Sequence, residues 1–497
     1  MFVNPPRAIQ RLTITYFLVF CFGCTPRVDF ARAGIPTALP HKNSELGSIY
    51  KKEAETLNTD NNPEIGLALS GGGIRSAMYC IGAMKALYDL DDGKFFETID
   101  VISSVSGGGY ASYWLYSHEI NDPGLGFGEA ALSDEHYGEN LRNLAAKSDM
   151  YPWERMLAEI FHSRSHTVQD YEDQIDYTFG FSSPKEERLL LSDLRKLVKE
   201  RQVPIPVINT TISATKQSSR VPRNFEFSPT HFGNQEVGFE NHESAEEFRM
   251  SKAVAISGAA FAPLLYQEYK NWKNETYPEK WPLTDGGHNE NLGALALIRR
   301  GVKNIFIIDA EHSPKYSFGA YDQLKLNLKE LGLHLHIKNI EEWKKVGYND
   351  RANLLPCSIA TGTISPINNS NPSESITVVY LKMSLTKEME NKIHEIANSA
   401  DGFKDVLDDF KNCSLWNSSE QASQLSEDDF CLKTIGTYSK WLNKDSKFRF
   451  LGRVLKSAQY SFPQTSTIDQ EFQYCDQMSA FLALGYLQGK KLWAEIN

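Results

Sequence analysis

The sequence lacks an excess of positive charge. Its 497 residues include 52 lysines and arginines against 63 aspartates and glutamates, so the formal net charge is -11. Nucleic acid, and docking on anionic lipid by bulk electrostatics, are therefore disfavoured. With 41% hydrophobic residues, the composition is ordinary for a globular protein and argues against general disorder.

The N-terminal apolar run is short. It covers residues 12–22, too few to span a bilayer comfortably, but it follows two arginines as the core of a signal peptide would. We therefore predict export, with residues 1–24 as a signal peptide or lipoprotein signal. Cys24 follows a small residue, as at a bacterial lipoprotein processing site, which would leave a membrane-anchored lipoprotein. A cut after residues 31–33, an A-x-A pattern, would instead release a secreted protein, and an uncleaved hydrophobic segment is a further alternative.

Cysteine is scarce, with seven residues in the whole chain. The five beyond the N-terminal segment are scattered and odd in number, so no disulfide framework is implied. Neither His334 with His336 nor His162 with His166 comes with an obvious third metal ligand. We therefore predict no metal and no cofactor.

The rest of the sequence indicates one α/β domain over residues 64–490, after a polar, irregular linker at 25–63. From residue 65 onwards, short apolar runs rich in β-branched residues alternate with helical patterns, which is typical of a mostly parallel sheet flanked by helices. The predicted strands cover residues 65–69, 99–105, 203–213, 302–308 and 376–383.

Two segments depart from this alternation. Residues 118–190 combine helix-like spacing with many charges, and predict a helical cap insert or else an additional layer of the same core. Residues 400–447 are acidic and serine-rich, and predict a surface excursion before a final helix at 469–487.

The first motif that carries chemistry is a triple glycine, Gly71-Gly72-Gly73, between a strand and a helix. Glycines let the backbone approach a ligand closely and turn its N–H groups towards an anion at the helix N-terminus. A phosphate loop would end in Gly-Lys-Ser/Thr, and a dinucleotide site would carry a further glycine where Ser76 stands. The motif therefore favours an oxyanion hole over a nucleotide site.

The second motif, Ser104-Val105-Ser106-Gly107-Gly108, again joins a strand to a helix. It has the form of a nucleophile elbow, in which a serine on a sharp turn needs small neighbours two residues away on either side. The dipole of the following helix would favour a serine alkoxide. Ser106 is the predicted nucleophile, although Ser104 stands where a glycine is usual and a plain Gly/Ser turn is the alternative.

The third motif is the polar turn Thr284-Asp285-Gly286-Gly287-His288. A carboxylate beside two glycines can approach a serine hydroxyl directly and take its proton without a histidine between them. Asp285 is thus the predicted general base. His288 leaves a Ser-His-Asp triad open, but a histidine satisfied by a local hydrogen bond is the more common case.

In their order along the chain, the GGGIRS, SVSGG and DGG motifs resemble those of the patatin-like phospholipases. The strings LSGGGIRSAM and VSGGGYASYWLYS resemble the cytosolic, group IV branch in particular. The similarity extends from about residue 64 to 489, apart from the predicted insert and the stretch 400–447. Supporting similarities lie at residues 204–211, 225–229, 253–263 and 462–467.

The resemblance implies a three-layer α/β/α fold and a catalytic dyad of Ser106 and Asp285 that cleaves lipid esters through an acyl-enzyme. It also implies an oxyanion hole in which Gly72 and Gly73 donate backbone N–H groups and Gly71 shapes the loop. Arg75 aligns with an arginine that holds the lipid phosphate in the cytosolic branch. A structural ion pair that caps the loop is the alternative for Arg75.

The expected function is a lipid acyl hydrolase of the phospholipase A or lysophospholipase type. Its substrate would be a phospholipid or lysophospholipid at a membrane or micelle surface. Two alternatives remain: a catalytically silent lipid-binding protein of the same fold, and an esterase or acyltransferase that uses the dyad on a non-phospholipid substrate.

Overall fold

The computed structural model describes residues 43–59, 63–122, 124–150, 168–180, 189–200, 203–212, 223–234, 238–241, 248–258, 267–270, 280–313, 316–347, 354–367, 375–398, 427–440, 462–464 and 475–494. The predicted signal segment, residues 1–24, and with it Cys24, lies outside the described residues. Among the described residues, no helix combines the length and apolar character that a membrane span requires.

The helices are α1 (Asn43–Leu57), α2 (Gly73–Asp89), α3 (Lys94–Glu97), α4 (Gly107–Glu119), α5 (Glu129–Leu132), α6 (Tyr137–Met150), α7 (Val168–Phe179), α8 (Leu191–Lys199), α9 (Met250–Ser257), α10 (Ala294–Arg299), α11 (Gly319–Glu330), α12 (Lys338–Gly347), α13 (Lys387–Asn398), α14 (Glu427–Lys440) and α15 (Cys475–Ala494). Short 3-10 turns lie at Leu90–Gly93 and Gly286–His288. The strands are β1 (Ile65–Leu69), β2 (Val101–Val105), β3 (Ile205–Ile212), β4 (Arg223–Phe227), β5 (His231–Asn234), β6 (Gly238–Asn241), β7 (Gln267–Lys270), β8 (Lys280–Asp285), β9 (Asn304–Asp309), β10 (Leu333–His336), β11 (Leu354–Leu355), β12 (Ile359–Pro366), β13 (Ile376–Lys382) and β14 (Leu385–Thr386).

The main sheet of the described region is mixed, with the strand order β10-β12-β13-β9-β1-β2-β3-β4-β5-β6, and β8 and β7 pair beside β3. The central strands β13, β9, β1, β2 and β3 are parallel to one another. The strands on both flanks pair in the antiparallel direction. The strands predicted from the sequence are these central ones, and each is confirmed to within two residues, because buried parallel strands require continuous apolar runs.

Helices cover both faces of this sheet. On one face α2, which connects β1 to β2, packs against α4 and α15. On the other face α10 packs against β1, β2 and β9, and Gly66 leaves room there for Leu297. The expected three-layer α/β/α arrangement is thereby confirmed.

Helix α1 corrects the predicted start of the domain. Residues 43–57 belong to this helix rather than to the linker predicted at 25–63, and they bury Tyr50 and Glu53. Glu53 can be buried because its carboxylate pairs with Arg300. In a sequence, a buried charge looks the same as an exposed one, which explains why the segment resembles a linker.

Two other predicted segments contain helices where the structure describes them. Within the predicted insert at 118–190, α7 packs against α4 and α9, and residues 151–167 and 181–188 lie outside the described part. That this insert forms a cap stays a prediction. The surface excursion predicted at 400–447 needs correction at its end. The residues of α14 pack against α15 there, with Ile435 fully buried.

Candidate active site

Ser106 lies on the sharp turn between β2 and α4. Its φ of 47° and ψ of -116° are values that residues with side chains rarely adopt. Side chains at Gly107 and Gly108 would collide with the main chain of the glycine loop and of β1, so the helix can follow this turn only with glycine there. The Ser106 N–H donates to Ser257 Oγ at 2.8 Å, which fixes the turn.

Asp285 reaches Ser106 because two strands share one edge of β3. Strand β2 pairs with this edge up to Val105, which lies opposite Asn209. Strand β8 then takes the same edge in the antiparallel direction, with Asp285 opposite Thr210, while β4 occupies the other edge. The ends of β2 and β8 therefore meet head to head, and bring together two residues that are 179 positions apart.

Ser106 Oγ donates a hydrogen bond of 2.9 Å to Oδ2 of Asp285. Oδ1 of the same carboxylate accepts the N–H of Gly287 at 2.7 Å, which fixes its orientation. Burial raises the pKa of Asp285 above its ordinary value of 3.8, against the opposing effects of His288, the Gly287 N–H and Ser106. A raised pKa makes the ionised carboxylate a stronger base, suited to accepting a serine proton.

His288 does not lie between the serine and the carboxylate. Its side chain is exposed, and its Nδ1 is 3.4 Å from Thr284 Oγ1. Ser106 and Asp285 are therefore in direct contact, without a histidine as intermediate.

The glycine loop lies beside this pair. Gly72 and Gly73 have φ values of 147° and 67°, which favour glycine, and both are partly exposed. A side chain on Gly71 would come within 3.3 Å of Ser106 Cβ, so the loop and the predicted nucleophile are neighbours. The Gly71 N–H donates to the Asn291 carbonyl at 2.8 Å. Gly71 therefore anchors the loop, and Gly72 and Gly73 stay the predicted oxyanion donors.

Arg75 is buried beneath the glycine loop, with 1% of its surface exposed. Its guanidinium donates to the carbonyls of Gly72 at 3.2 Å, Ala310 at 3.0 Å and Pro463 at 3.4 Å. Burial lowers the pKa of Arg75 to about 9, although the charges of Asp309 and of a neighbouring glutamate oppose this. These hydrogen bonds to backbone carbonyls brace the loop from below, whereas the structural alternative predicted an ion pair.

Three residues that the sequence did not single out connect the motifs. Asn209 Nδ2 donates to the carbonyl of Ser104 at 3.0 Å, and the Asn209 carbonyl accepts the hydroxyl of Ser257 at 2.6 Å. Asn291 joins the glycine loop to the turn of Asp285. Asn209 and Ser257 lie in the similar stretches 204–211 and 253–263, so the resemblance contained a signal for them that the residue types alone did not.

The described part of the chain contains no group of three or more histidine, cysteine, aspartate or glutamate side chains that could hold a metal ion. His334 and His336, which alternate along β10, have ring centroids 6.2 Å apart. The candidate site is therefore built from the serine, the carboxylate and the glycine loop.

Comparisons with known proteins give a family match over part of the chain and a similar fold. Residues 67–298, just under half of the chain, match the patatin-like phospholipase family. Mouse cytosolic phospholipase A2 gamma is 24% identical in an alignment 274 residues long that covers 48% of this chain and 42% of the mouse protein. The structure of human GIVD cytosolic phospholipase A2 is similar with a TM-score of 0.53 and 14% identity, over 92% of this chain and 64% of the human one.

This chain therefore spans less than two thirds of the length of either relative, and the likeness to the human structure concerns the fold alone. The matched segment contains the glycine loop, Ser106 and Asp285. The resemblance seen in the motifs is thereby confirmed over residues 67–298, which match the model of the patatin-like phospholipase family.

Proposed function

We propose that this protein is a lipid acyl hydrolase of the phospholipase A or lysophospholipase type, with Ser106 as nucleophile and Asp285 as general base. The observation that carries the proposal is the 2.9 Å hydrogen bond from Ser106 Oγ to Asp285 Oδ2 at a strained turn. The family match over residues 67–298 supports a lipid ester as substrate. A phospholipid or lysophospholipid in a membrane or micelle is the proposed form of that ester.

In the proposed acylation step, Asp285 takes the hydroxyl proton of Ser106 while Oγ attacks the carbonyl carbon of a fatty-acyl ester. The N–H groups of Gly72 and Gly73 stabilise the oxyanion, an effect typically worth on the order of a hundredfold or more in rate. The ester C–O bond then breaks, and the leaving alcohol takes the proton from Asp285. The acyl group remains on Ser106.

In the deacylation step, Asp285 takes a proton from water, and the water oxygen attacks the acyl carbon. The intermediate collapses as the bond to Ser106 breaks, Oγ regains a proton from Asp285, and the fatty acid leaves. One carboxylate thus serves both half-reactions and must be ionised at the start of each.

A fluorophosphonate probe tests the nucleophile. We expect it to label the wild type and not Ser106→Ala, because the probe forms its bond to an activated serine oxygen. Ser117→Ala is the matched control, since the Ser117 hydroxyl donates only to the carbonyls of Trp114 and Phe179 among the bonds described. Equal labelling of wild type and Ser106→Ala would remove Ser106 from the mechanism.

One observation favours the alternative of a non-phospholipid ester. Arg75, the residue expected to hold a lipid phosphate, bonds three backbone carbonyls and is almost fully buried. A phosphate would have to displace these contacts. Substrate class therefore depends on whether Arg75 acts as a brace or as an anion ligand.

Arg75→Lys distinguishes these two roles. Lysine cannot reproduce the planar fork that bonds three carbonyls, so we expect hydrolysis of phosphatidylcholine and of a neutral monoacylglycerol to fall by the same factor, about tenfold. Fatty-acid release from each lipid in matched micelles measures this. A loss confined to phosphatidylcholine would assign Arg75 to the phosphate.

A further inference from the structure

Two buried tyrosines lie close to Ser106 on neighbouring helices. Tyr110 is in the first turn of α4, where its N–H donates to the Ser106 carbonyl at 3.3 Å. Because helical side chains point back towards the N-terminus, the Tyr110 ring lies on the Ser106 side of the helix. Tyr171 projects from α7 in the predicted insert, and its hydroxyl is hydrogen-bonded to the Tyr110 hydroxyl. The tyrosines are 3% and 5% exposed, respectively.

The two hydroxyls meet at Gly258. A side chain on Gly258 would collide with both hydroxyl oxygens, and the Tyr171 hydroxyl donates to the Gly258 carbonyl at 3.5 Å. Gly258 directly follows Ser257, whose Oγ accepts the Ser106 N–H at 2.8 Å. The hydroxyl pair therefore packs against the segment that fixes the Ser106 turn.

The electrostatics of Tyr110 involve both Ser106 and Asp285. Burial raises the pKa of Tyr110, hydrogen bonds with Tyr171 and with Ser106 lower it, and the Asp285 charge raises it. The pKa of Tyr171 is raised well above its ordinary value, by burial first and then by Tyr110. Both hydroxyls therefore stay protonated at neutral pH.

We propose that Tyr110 is a positioning residue for the nucleophile: paired with Tyr171 from α7, its hydroxyl packs against Gly258 and holds the adjacent Ser257, which fixes the Ser106 turn. This inference rests on the proposed function of Ser106 and Asp285. A turn fixed in this way keeps Ser106 Oγ 2.9 Å from Oδ2 of Asp285, with its proton directed at the carboxylate.

Three tyrosine-to-phenylalanine variants test the proposal. We expect Tyr110→Phe to lower both kcat for ester hydrolysis and the rate of Ser106 phosphonylation by a small fluorophosphonate about tenfold, with KM unchanged. Tyr171→Phe should lower both rates about threefold, and the double variant should be no slower than Tyr110→Phe, because the hydroxyls act as one unit. The rates and the Tm of each variant are measured on the full-length protein.

Tyr113→Phe is the matched control. Its hydroxyl bonds Asp176 across the same two helices, α4 and α7, but three residues further along α4. This variant should lower Tm and leave both rates within about twofold of the wild type, since it removes a helix contact that does not reach Ser106.

Wild-type rates for Tyr110→Phe would overturn the inference, and so would an equal slowing by Tyr113→Phe, which would indicate a general packing effect. Ser106→Ala separates this inference from the proposed function. If Ser106→Ala is still labelled and active, the proposed function itself fails. If Ser106→Ala is silent while Tyr110→Phe behaves as the wild type, only the role of the tyrosines fails.

Discussion

The carboxyl group of Asp285, the proposed general base, carries an electrostatic cost to the stability of the fold. Burial raises its pKa, so the folded protein holds this proton more tightly than the unfolded chain does. Its contribution to stability is therefore complete below the ordinary pKa of 3.8 and falls as the pH rises from there to the raised pKa. Above that range, the ionised carboxylate destabilises the folded state.

We predict that Asp285→Asn loses ester turnover by roughly a thousandfold or more, yet has a higher Tm than the wild type at pH 7. The amide can still accept the Gly287 N–H but brings no charge into the site. Fatty-acid release and calorimetry between pH 4 and 8 measure the two effects. The Tm difference should narrow as the pH falls through the raised pKa of Asp285, and a variant less stable than the wild type at pH 7 would contradict this account.

His288→Ala is the companion variant. We expect it to retain most of the turnover, because His288 is exposed and does not separate Ser106 from Asp285. The same fatty-acid assay measures it. If His288→Ala is as inactive as Asp285→Asn, a triad must replace the dyad.

At the scale of elements, helix α1 is held to the domain by a buried ionic network. Arg300, which directly follows α10, donates to Glu53 of α1 at 2.7 Å and to Glu226 of β4 at 3.1 Å. His231 of β5 lies 3.0 Å from Glu226, and all four side chains are no more than 3% exposed. The Arg300 guanidinium also lies over the ring of Tyr50, 4.5 Å from its centroid.

Removing one partner from such a network leaves uncompensated buried charge. We predict that Arg300→Met lowers the free energy of unfolding by about 3–5 kcal/mol, because Glu53 and Glu226 stay buried without their cation. Lys303→Met is the matched control, since its ion pair with Glu64 is exposed and worth about 0–1 kcal/mol. Urea denaturation at pH 7 measures both, and equal stability of the two variants would refute a structural role for the network.

The same network makes the stability of the folded protein depend on pH in the acid range. Burial alone would raise the pKa of Glu226, but Arg300 and His231 outweigh it and hold the pKa at about 2, below the ordinary value of 4.5. A lowered pKa contributes stability that is complete above 4.5 and is lost as the pH falls towards 2. The difference in free energy of unfolding between the wild type and Arg300→Met should therefore become smaller as the pH falls through this range.

At the scale of the whole molecule, α2 and α15 join the beginning and the end of the domain through direct backbone contact. A side chain on Gly82 of α2 would collide with the carbonyl of Leu482, and one on Gly485 of α15 would collide with the carbonyl of Tyr79. Tyr79 also donates to Gln488 Oε1 at 2.6 Å. Because α2 begins at Gly73, this packing supports the helix whose N-terminus forms the glycine loop.

We predict that Gly485→Val lowers the free energy of unfolding by about 1–3 kcal/mol or more, because the two helix backbones must separate to admit the side chain. Gly124→Ala is the control, since a methyl group there meets no atom within 4 Å. Thermal unfolding of both variants measures the effect. A Gly485→Val protein with the wild-type Tm would show that the helices can separate without loss.

The central strands, the elbow of Ser106, the glycine loop and the DGG turn could all be predicted from the sequence. Each of these features imposes a local requirement: continuous apolar runs for buried parallel strands, and glycine where a side chain would collide with neighbouring backbone or where φ is positive. Such requirements restrict the types of residues that are adjacent in the sequence, so a sequence pattern is enough to detect them.

Only the tertiary structure decided that β2 and β8 meet end to end, that α1 belongs to the domain, that Arg75 lies under the loop, and that Tyr110 meets Tyr171. These features depend on partners far apart in the chain. A buried arginine, glutamate or tyrosine has the same letter as an exposed one, and only its surroundings supply the carbonyl, cation or hydroxyl that makes its burial possible.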